Sequence, residues 1–518
     1  MNSASNLRRV TCSIPILALV LWLDWERGGA AIITVGPGDS YSKIESANPG
    51  DEVVIAPGNY TFRVYLTKQA AATNPILIRA QDPGNRPVWD FGTTLVENAP
   101  GSYSAGDRGR GGWQFSGAHN YRLSGIVFRH ARTISNNSAG IRYYNGTTNL
   151  YLKDCLFELN DNGLTGGTQN SEATVEFCEF NANGNTNASS SAPTHNLYVY
   201  GGVLAVRYCY VHDPVQGQNF HIRCRNATLE YNWFARAKSY EGDLMTDDDF
   251  SGAGPFSQTL TLRGNVIVQN ASPQNNSQVI AIFNDGGLAN LSLNVRALYN
   301  TFVGNGGSAA MVHVSNADGT QMTAEISDNI ISGTTRPALI ELAGAASVTG
   351  MNNWVKTNAI VGTPAGGNLT GSVTSAAPGF RNAAAKDYAL ATNSVCIGAA
   401  DASVYGPAAN EYYVNELTNR LRRVRDGARD IGALESTTTN PPVGPYDPEP
   451  RPDLKITPSG DNAMVSWPLF AADYQLDQSD LDSPVLWSPS AYAAATNAAN
   501  ISVTVPDRSG RSFFRLRR

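Results

Sequence analysis

Charge is what this chain has least of. Only 16% of its 518 residues are Asp, Glu, Lys or Arg, against a usual share of about a quarter. The formal net charge is −6, so the basic footprint that nucleic-acid binding needs is missing and nucleic acid is excluded as a general partner. Sustained helical periodicity is missing too, whereas Gly stands at 49 residues and Asn and Thr are plentiful. That is the composition of a turn-rich β protein. The six cysteines show no Cys-x-x-Cys spacing, which argues against zinc. The one long apolar run, from Cys12 to Leu23, follows Arg8 and Arg9 and precedes Gly28-Gly29-Ala30-Ala31. It is short for a bilayer span and reads as an export signal over residues 1–31. The untidy Asp24-Trp25-Glu26-Arg27 keeps a membrane anchor as the alternative. The expectation is a secreted protein (extracellular, periplasmic or on the outer surface), monomeric, and free of the membrane once the signal is removed.

A repeat fills the middle of the chain. From about residue 120 the units GIVF, DCLF, FCEF, YCYV, YNWF, GNVI, YNTF and DNII recur at intervals from the low twenties to the mid thirties. They end on Phe128, Phe157, Phe180, Val211, Phe234, Ile267, Phe302 and Ile331. Two positions earlier stand Ile126, Cys155, Cys178, Cys209, Asn232, Asn265, Asn300 and Asn329. Such a column means that equivalent residues stack coil on coil, about 4.8 Å apart. Stacked Asn side chains satisfy one another, and Cys suits the same inward position. Disulfides between neighbouring coils are the sharper reading for Cys155, Cys178 and Cys209. Parallel stacked side chains approach poorly for a bridge, which favours free buried thiols. The fold expected is all-β, a right-handed parallel β-helix.

A second strand per coil is visible in GIRYY, GLTG, NLYVY, HIRCR, DLMTD, VIAIF and MVHV. Period-2 alternation places Ile141, Leu164, Leu197, Val199, Ile222, Cys224, Leu244, Ile280, Ile282, Val312 and Val314 inside. The outward residues are expected in rows: Arg142, Thr165, Tyr198, Arg223, Met245, Ala281 and His313; Tyr144, Tyr200, Arg225, Asp247 and Phe283; and Asn196, His221 and Asp243. The solenoid domain is expected over 32–436, opened by a cap with a helical turn or two at Ser40 to Ala47. A Pro-rich linker follows over 437–453, then a small β-sandwich-like module over 454–518.

The chemistry concentrates on one outward face. Between 195 and 240 lie Arg207, Arg223, Arg225, Arg236 and Lys238 against Asp213 and Glu230, with His195, His212 and His221. Interleaved Tyr and Arg suit an acidic polysaccharide, with rings stacking on sugars and guanidinium forks gripping carboxylates. The plainer reading makes Arg223–Asp243 and Arg225–Asp247 cross-coil ion pairs that keep register. On a uronic-acid polymer, β-elimination needs a cation on the C6 carboxylate, a base for the C5 proton and an acid for the leaving oxygen. Arg223 or Arg225 would clamp the carboxylate, His221 would be the base, and Tyr198 or Tyr240 the acid. Lys238 is a substitute base. Arg142, Tyr144, Tyr200, His195, Asp243 and Asp247 would line the substrate. Asp247, Asp248 and Asp249 offer two rival readings, a Ca²⁺ site or paired carboxylates for glycoside hydrolysis with Asp243. Three successive Asp are otherwise simply a solvated turn. A non-catalytic carbohydrate-binding or adhesive protein is the remaining alternative.

The segments VGPGDSYSKIESANPGDEVVIAPGNYTF, HNLYVYGG, QNFHIRCRNATLEYNWF, IFNDGG and RDIGALE resemble the pectate-lyase-like right-handed β-helix superfamily of secreted polysaccharide-active proteins. The resemblance covers roughly residues 32–436. It implies the fold, and its motifs do not specify the activity. A Lys-x-Arg pair of one bacterial branch falls on Arg223 and Arg225. Arg in place of that Lys departs from a lysine-base mechanism, because a guanidinium is hard to deprotonate.

Overall fold

The computed structural model describes residues 30–103, 110–185, 194–247, 256–274, 278–283, 291–307, 310–316, 321–333, 340–344, 346–357, 367–401, 410–413, 421–425, 430–436, 440–447, 454–460, 462–468, 474–480, 488–496, 500–506 and 512–517. Two long parallel sheets dominate, of 21 and 12 strands. A typical coil has three legs, as in Ala139–Tyr144, Leu150–Lys153 and Leu156–Glu158. Each leg pairs in parallel with its counterpart on the next coil: Ile141 with Leu164, Leu152 with Val175, Phe157 with Phe180. In two coils the first and second legs fuse into 11-residue strands, Leu197–Arg207 and Phe220–Glu230. The chain is a right-handed parallel β-helix, with a single helical turn, Ser42–Glu45, in its N-terminal cap.

The corner before each third leg explains the repeat. The residue ahead of the Cys/Asn column is left-handed, with φ of 53° at Asp154 and Phe177, 57° at Tyr208 and 56° at Tyr231 and Tyr299. This bend takes the backbone out of the ladder, and the next side chain restores the missing bonds. Cys155 and Cys178 donate their N–H groups to Sγ of Cys178 and Cys209, both at 3.4 Å. Cys209 N–H reaches Asn232 Oδ1 at 2.9 Å. From Asn232 to Asn353 each amide donates Nδ2–H to the next Oδ1 at 2.9–3.0 Å. Cys155, Cys178, Cys209, Cys224 and Cys396 are free and buried. A buried polar column so completely paired costs little, where one orphaned amide would cost about 1–3 kcal/mol.

A second column went unread in the sequence. At the corner before the first leg, Asn160, Asn183, Asn196, Asn219 and Glu241 join side chain to side chain at 3.0, 2.8, 2.8 and 2.7 Å. Between the columns lies the core, where every residue assigned inward from the alternation is buried. The rings of Phe128, Phe157 and Phe180 stack at 5.1 and 4.6 Å.

Beyond the last coil come short antiparallel sheets. Pro442–Val443, in the stretch read as a linker, pairs with Arg422–Arg423. Toward the C-terminus, a four-stranded and a three-stranded antiparallel sheet share a core of Val465, Trp467, Leu476, Ile501, Val503 and Val505. Among the described residues no helix is long and apolar enough to cross a membrane.

Candidate functional site

The chain covers one of its own faces. Outward residues of the third leg, Tyr210, Trp233, Val266 and Val268, are buried against Tyr388 and Ala433, and Ile330 and Trp354 against Leu390, Cys396 and Ile431. Gly432 makes this approach possible: a Cβ there would stand 2.7 Å from Ile330 Cδ1. The second leg presents register pairs such as Arg207 Nε–Glu230 at 3.1 Å and Arg296–Glu325 at 2.8 Å. Exposed pairs of this kind contribute under about 1 kcal/mol. The first leg is left to carry function.

Its outward row runs Gln114, Arg142, Thr165, Tyr198, His221, Asp243, Ala281, His313. This corrects the expected rows. His221, not Arg223, stands beside Tyr198; Arg223 stands beside Tyr200, and Asp243 is the next rung from His221. The expected frame was two residues out at this coil. A slip of two keeps every apolar residue inside, so the alternation could not detect it. The ion pairs expected between Arg223 and Asp243 and between Arg225 and Asp247 are replaced by a contact between His221 and Asp243.

There, His221 Nδ1 lies 2.7 Å from Asp243 Oδ1. It is a close polar approach in which neither atom completes a well-directed hydrogen bond. Tyr240 donates its hydroxyl to the other oxygen, Oδ2, at 2.8 Å. On the far edge of the imidazole, Arg223 Nε donates to His221 Nε2 at 3.1 Å. These contacts fit a neutral ring carrying its proton on Nδ1, an assignment drawn from the partners. Tyr198 meets the ring edge-on, centroids 4.8 Å apart, and His195 stacks on its back at 4.8 Å and 19°. His221 and Arg223 are half-buried and reachable, whereas Asp243 and His195 are 1% and 2% exposed.

Burial and charge divide the work. Burial pushes the Asp243 carboxyl up, but the adjoining His221 imidazole and the hydrogen bond from Tyr240 bring it net below its usual range. Burial, reinforced by the neighbouring His221, pushes His195 down to about 3. Its Nδ1 accepts from the Gln218 N–H at 3.2 Å, so it is a neutral wall that holds His221, not a substrate ligand. Tyr240 is raised well above a phenol's usual value by burial and the Asp243 charge. Its hydroxyl is committed to Asp243, which corrects its expected role as the acid.

The other expected residues separate. Arg225 is exposed two residues past Arg223, and Lys238 is exposed on the connection to the next coil; no described contact joins either to the cluster. Asp247 is fully buried and accepts the Gly201 N–H at 2.8 Å. It fastens a strand bend, so it serves neither as a substrate ligand nor as half of a hydrolytic pair. Asp248 and Asp249 lie outside the described residues, as does the export signal. Among the described residues no group of His, Cys, Asp or Glu could hold a metal ion; the expected Ca²⁺ set of Asp247, Asp248 and Asp249 falls in part outside the described residues. Arg142 and Tyr144 lie together farther up the row, the guanidinium 5.4 Å from the ring centre. Glu241 is the buried end of the second Asn column.

No protein-family model matches the chain, and no curated protein does. Among solved structures it is similar to pectate lyase Pel9A, with 15% identity, a TM-score of 0.46, and coverage of 79% of this chain and 98% of that one. An alginate lyase from Paenibacillus sp. str. FPU-7 matches at 13% identity and a TM-score of 0.41, over 66% of this chain and 99% of its own. The GH136 lacto-N-biosidase from Eubacterium ramulus matches at 11% and 0.37, over 66% and 67%. None of these carries the likeness beyond the parallel β-helix that the sheets themselves show.

Proposed function

We propose that this protein is a secreted polysaccharide lyase that cleaves a uronic-acid polymer by β-elimination at His221. The observation that carries the reading is the line Asp243–His221–Arg223: a buried carboxylate behind an imidazole whose outer nitrogen meets a guanidinium. A substrate carboxylate would draw Arg223 off Nε2 into a charge-assisted pair. That neutralises the C6 carboxylate, acidifies the C5 proton and frees the lone pair of His221 together. His221 takes the C5 proton, the electron pair forms the C4–C5 double bond, and the C4–O bond breaks. The leaving oxygen collects a proton from Tyr198, half-buried beside the imidazole. Asp243 holds the imidazolium that forms, as its lowered pKa allows. Histidine suits the base role because its ordinary pKa is near neutrality.

Hydrolysis is the weaker reading, since it needs two available carboxylates. Asp243 is engaged by His221 and Tyr240, and Asp247 by the backbone. The test is to incubate the protein with pectate, alginate, glucuronan, ulvan and chondroitin, following ultraviolet absorbance of the unsaturated product and reducing ends together. Both signals rising on one polymer are expected. Reducing ends without absorbance would overturn the lyase reading in favour of hydrolysis, and binding with neither signal would leave a non-catalytic carbohydrate-binding protein.

A further inference from the structure

Upstream of Tyr198 the same row changes character. Gln114, Arg142 and Thr165 stand on consecutive rungs, and they are only 0%, 8% and 5% exposed. Outward polar side chains of a solenoid face water by default. These are shut away, yet Arg142 Nε and Thr165 Oγ1 have no hydrogen-bond partner, and Gln114 Oε1 and Nε2 complete no well-directed one although the Tyr103 hydroxyl lies beside that amide. Buried polar groups are normally paired, so such atoms on adjacent rungs call for an explanation. Together they offer an amide donor and acceptor, a cation and a hydroxyl. That set matches the carboxylate and ring hydroxyls of one acidic sugar.

The upstream end is closed by the protein itself. Tyr103 donates its hydroxyl to the Gly111 carbonyl at 2.8 Å. Its ring lies 5.1 Å from that of Tyr65, and the Arg63 guanidinium sits 4.4 Å from its centre. The segment bearing Tyr103 is tied down by Arg63 N–H to Pro100 O at 2.7 Å and Ser102 Oγ to Glu45 at 3.0 Å. A polymer lying along the row could not continue past Tyr103. Access remains from the side of Tyr198 and His221, whose side chains are part-exposed.

We infer that Gln114, Arg142 and Thr165 form a closed pocket for the terminal acidic sugar of the substrate, so that cleavage starts from a chain end. The cleavage arm of this inference rests on the lyase reading of His221; its binding arm does not. Arg142 is three rungs from His221, roughly 14 Å at the strand spacing, so each cut releases a short oligosaccharide of one length.

Two measurements on the full chain test it. With the polymer that gives unsaturated product, viscosity should fall slowly while absorbance rises, and early products should share one short length. A rapid fall in viscosity with mixed lengths would overturn end-on action and leave the lyase reading standing. Separately, His221→Ala protein is titrated calorimetrically with short pectate, alginate and glucuronan oligosaccharides. Adding Arg142→Gln should weaken binding of the acidic oligosaccharide about tenfold or more, as expected for a lost charge-assisted bond, with a neutral oligosaccharide unaffected. Should Arg142→Gln not fold, Thr165→Val serves in its place, and an affinity unchanged in the folded variant overturns the pocket. If no acidic polymer yields unsaturated product, the His221 reading falls, and the titration still decides the pocket.

Discussion

His221 and Asp243 stand on adjacent rungs of one row, Nδ1 2.7 Å from Oδ1, with the carboxylate nearly sealed from solvent and the imidazole reachable. In the proposed reaction one rung supplies the base and the next supplies the charge that tolerates its protonation. Replacing His221 by Ala should therefore lower the rate of unsaturated-product formation about 10²–10⁴-fold, the usual worth of a positioned general base, with an unchanged circular dichroism spectrum. Asp243→Asn should fall in the same direction. A rate within a few-fold of wild type for His221→Ala removes it from the base role.

Arg223 and Arg225 look equivalent in the sequence and are not so in the structure. Arg223 hydrogen-bonds His221 Nε2, and Arg225 is exposed beyond it. Arg223→Ala should raise KM and depress kcat/KM by about 10–100-fold, from loss of a charge-assisted hydrogen bond. Arg225→Ala should stay within about threefold. Equal losses in both variants would place the carboxylate clamp elsewhere.

The inside and outside of this solenoid were legible because alternation has period two, and the Cys/Asn column was legible because one residue type recurs at the same bend. Less could be read of the register between coils. Loops of different length separate them, and apolar residues at both n and n+2 accept either frame, so Tyr198 was set beside Arg223 and not His221. The second leg was overlooked as a separate strand because in coils such as Leu197–Arg207 it runs on without a turn. Tyr240 and Asp247 were nominated for the site by residue type. Their actual partners, Asp243 and the Gly201 N–H, come from chain bends that no local pattern announces.

The two corner columns predict how the fold fails. Asn265 is fully buried, receives the Asn232 amide, and donates to Asn300 and to the Leu229 carbonyl. Asn265→Ala orphans partners on both sides and should cost about 2–4 kcal/mol, more than one lost hydrogen bond, read as a lower denaturant midpoint. Because the five described cysteines are free, adding a reductant should leave the midpoint of the wild-type protein unchanged. A downward shift would reveal a disulfide.

Glu241 ends the second column and makes stability depend on pH. It is fully buried, with Oε2 accepting from Asn219 and Oε1 from the Ala237 and Asn270 N–H groups. Burial pushes its carboxyl up to about 8, against the pull of those donors and of Arg236. In the unfolded chain the group titrates near the ordinary glutamate value of about 4.3. Between these values the folded state keeps a proton that the unfolded chain has released, so stability falls as pH rises. The contribution is fully present below the unfolded value and is lost as pH passes through about 8. His212, raised overall by Asp213 and Glu179 although burial opposes it, acts in the same direction above its ordinary value. Glu241→Gln removes the titration but sets an amide N–H₂ against that of Asn219, so its absolute stability is not the readout. The slope is. Denaturant midpoints from pH 5 to pH 8 should decline clearly less in Glu241→Gln than in the wild type, and parallel declines would show that Glu241 is ionised in the folded state throughout.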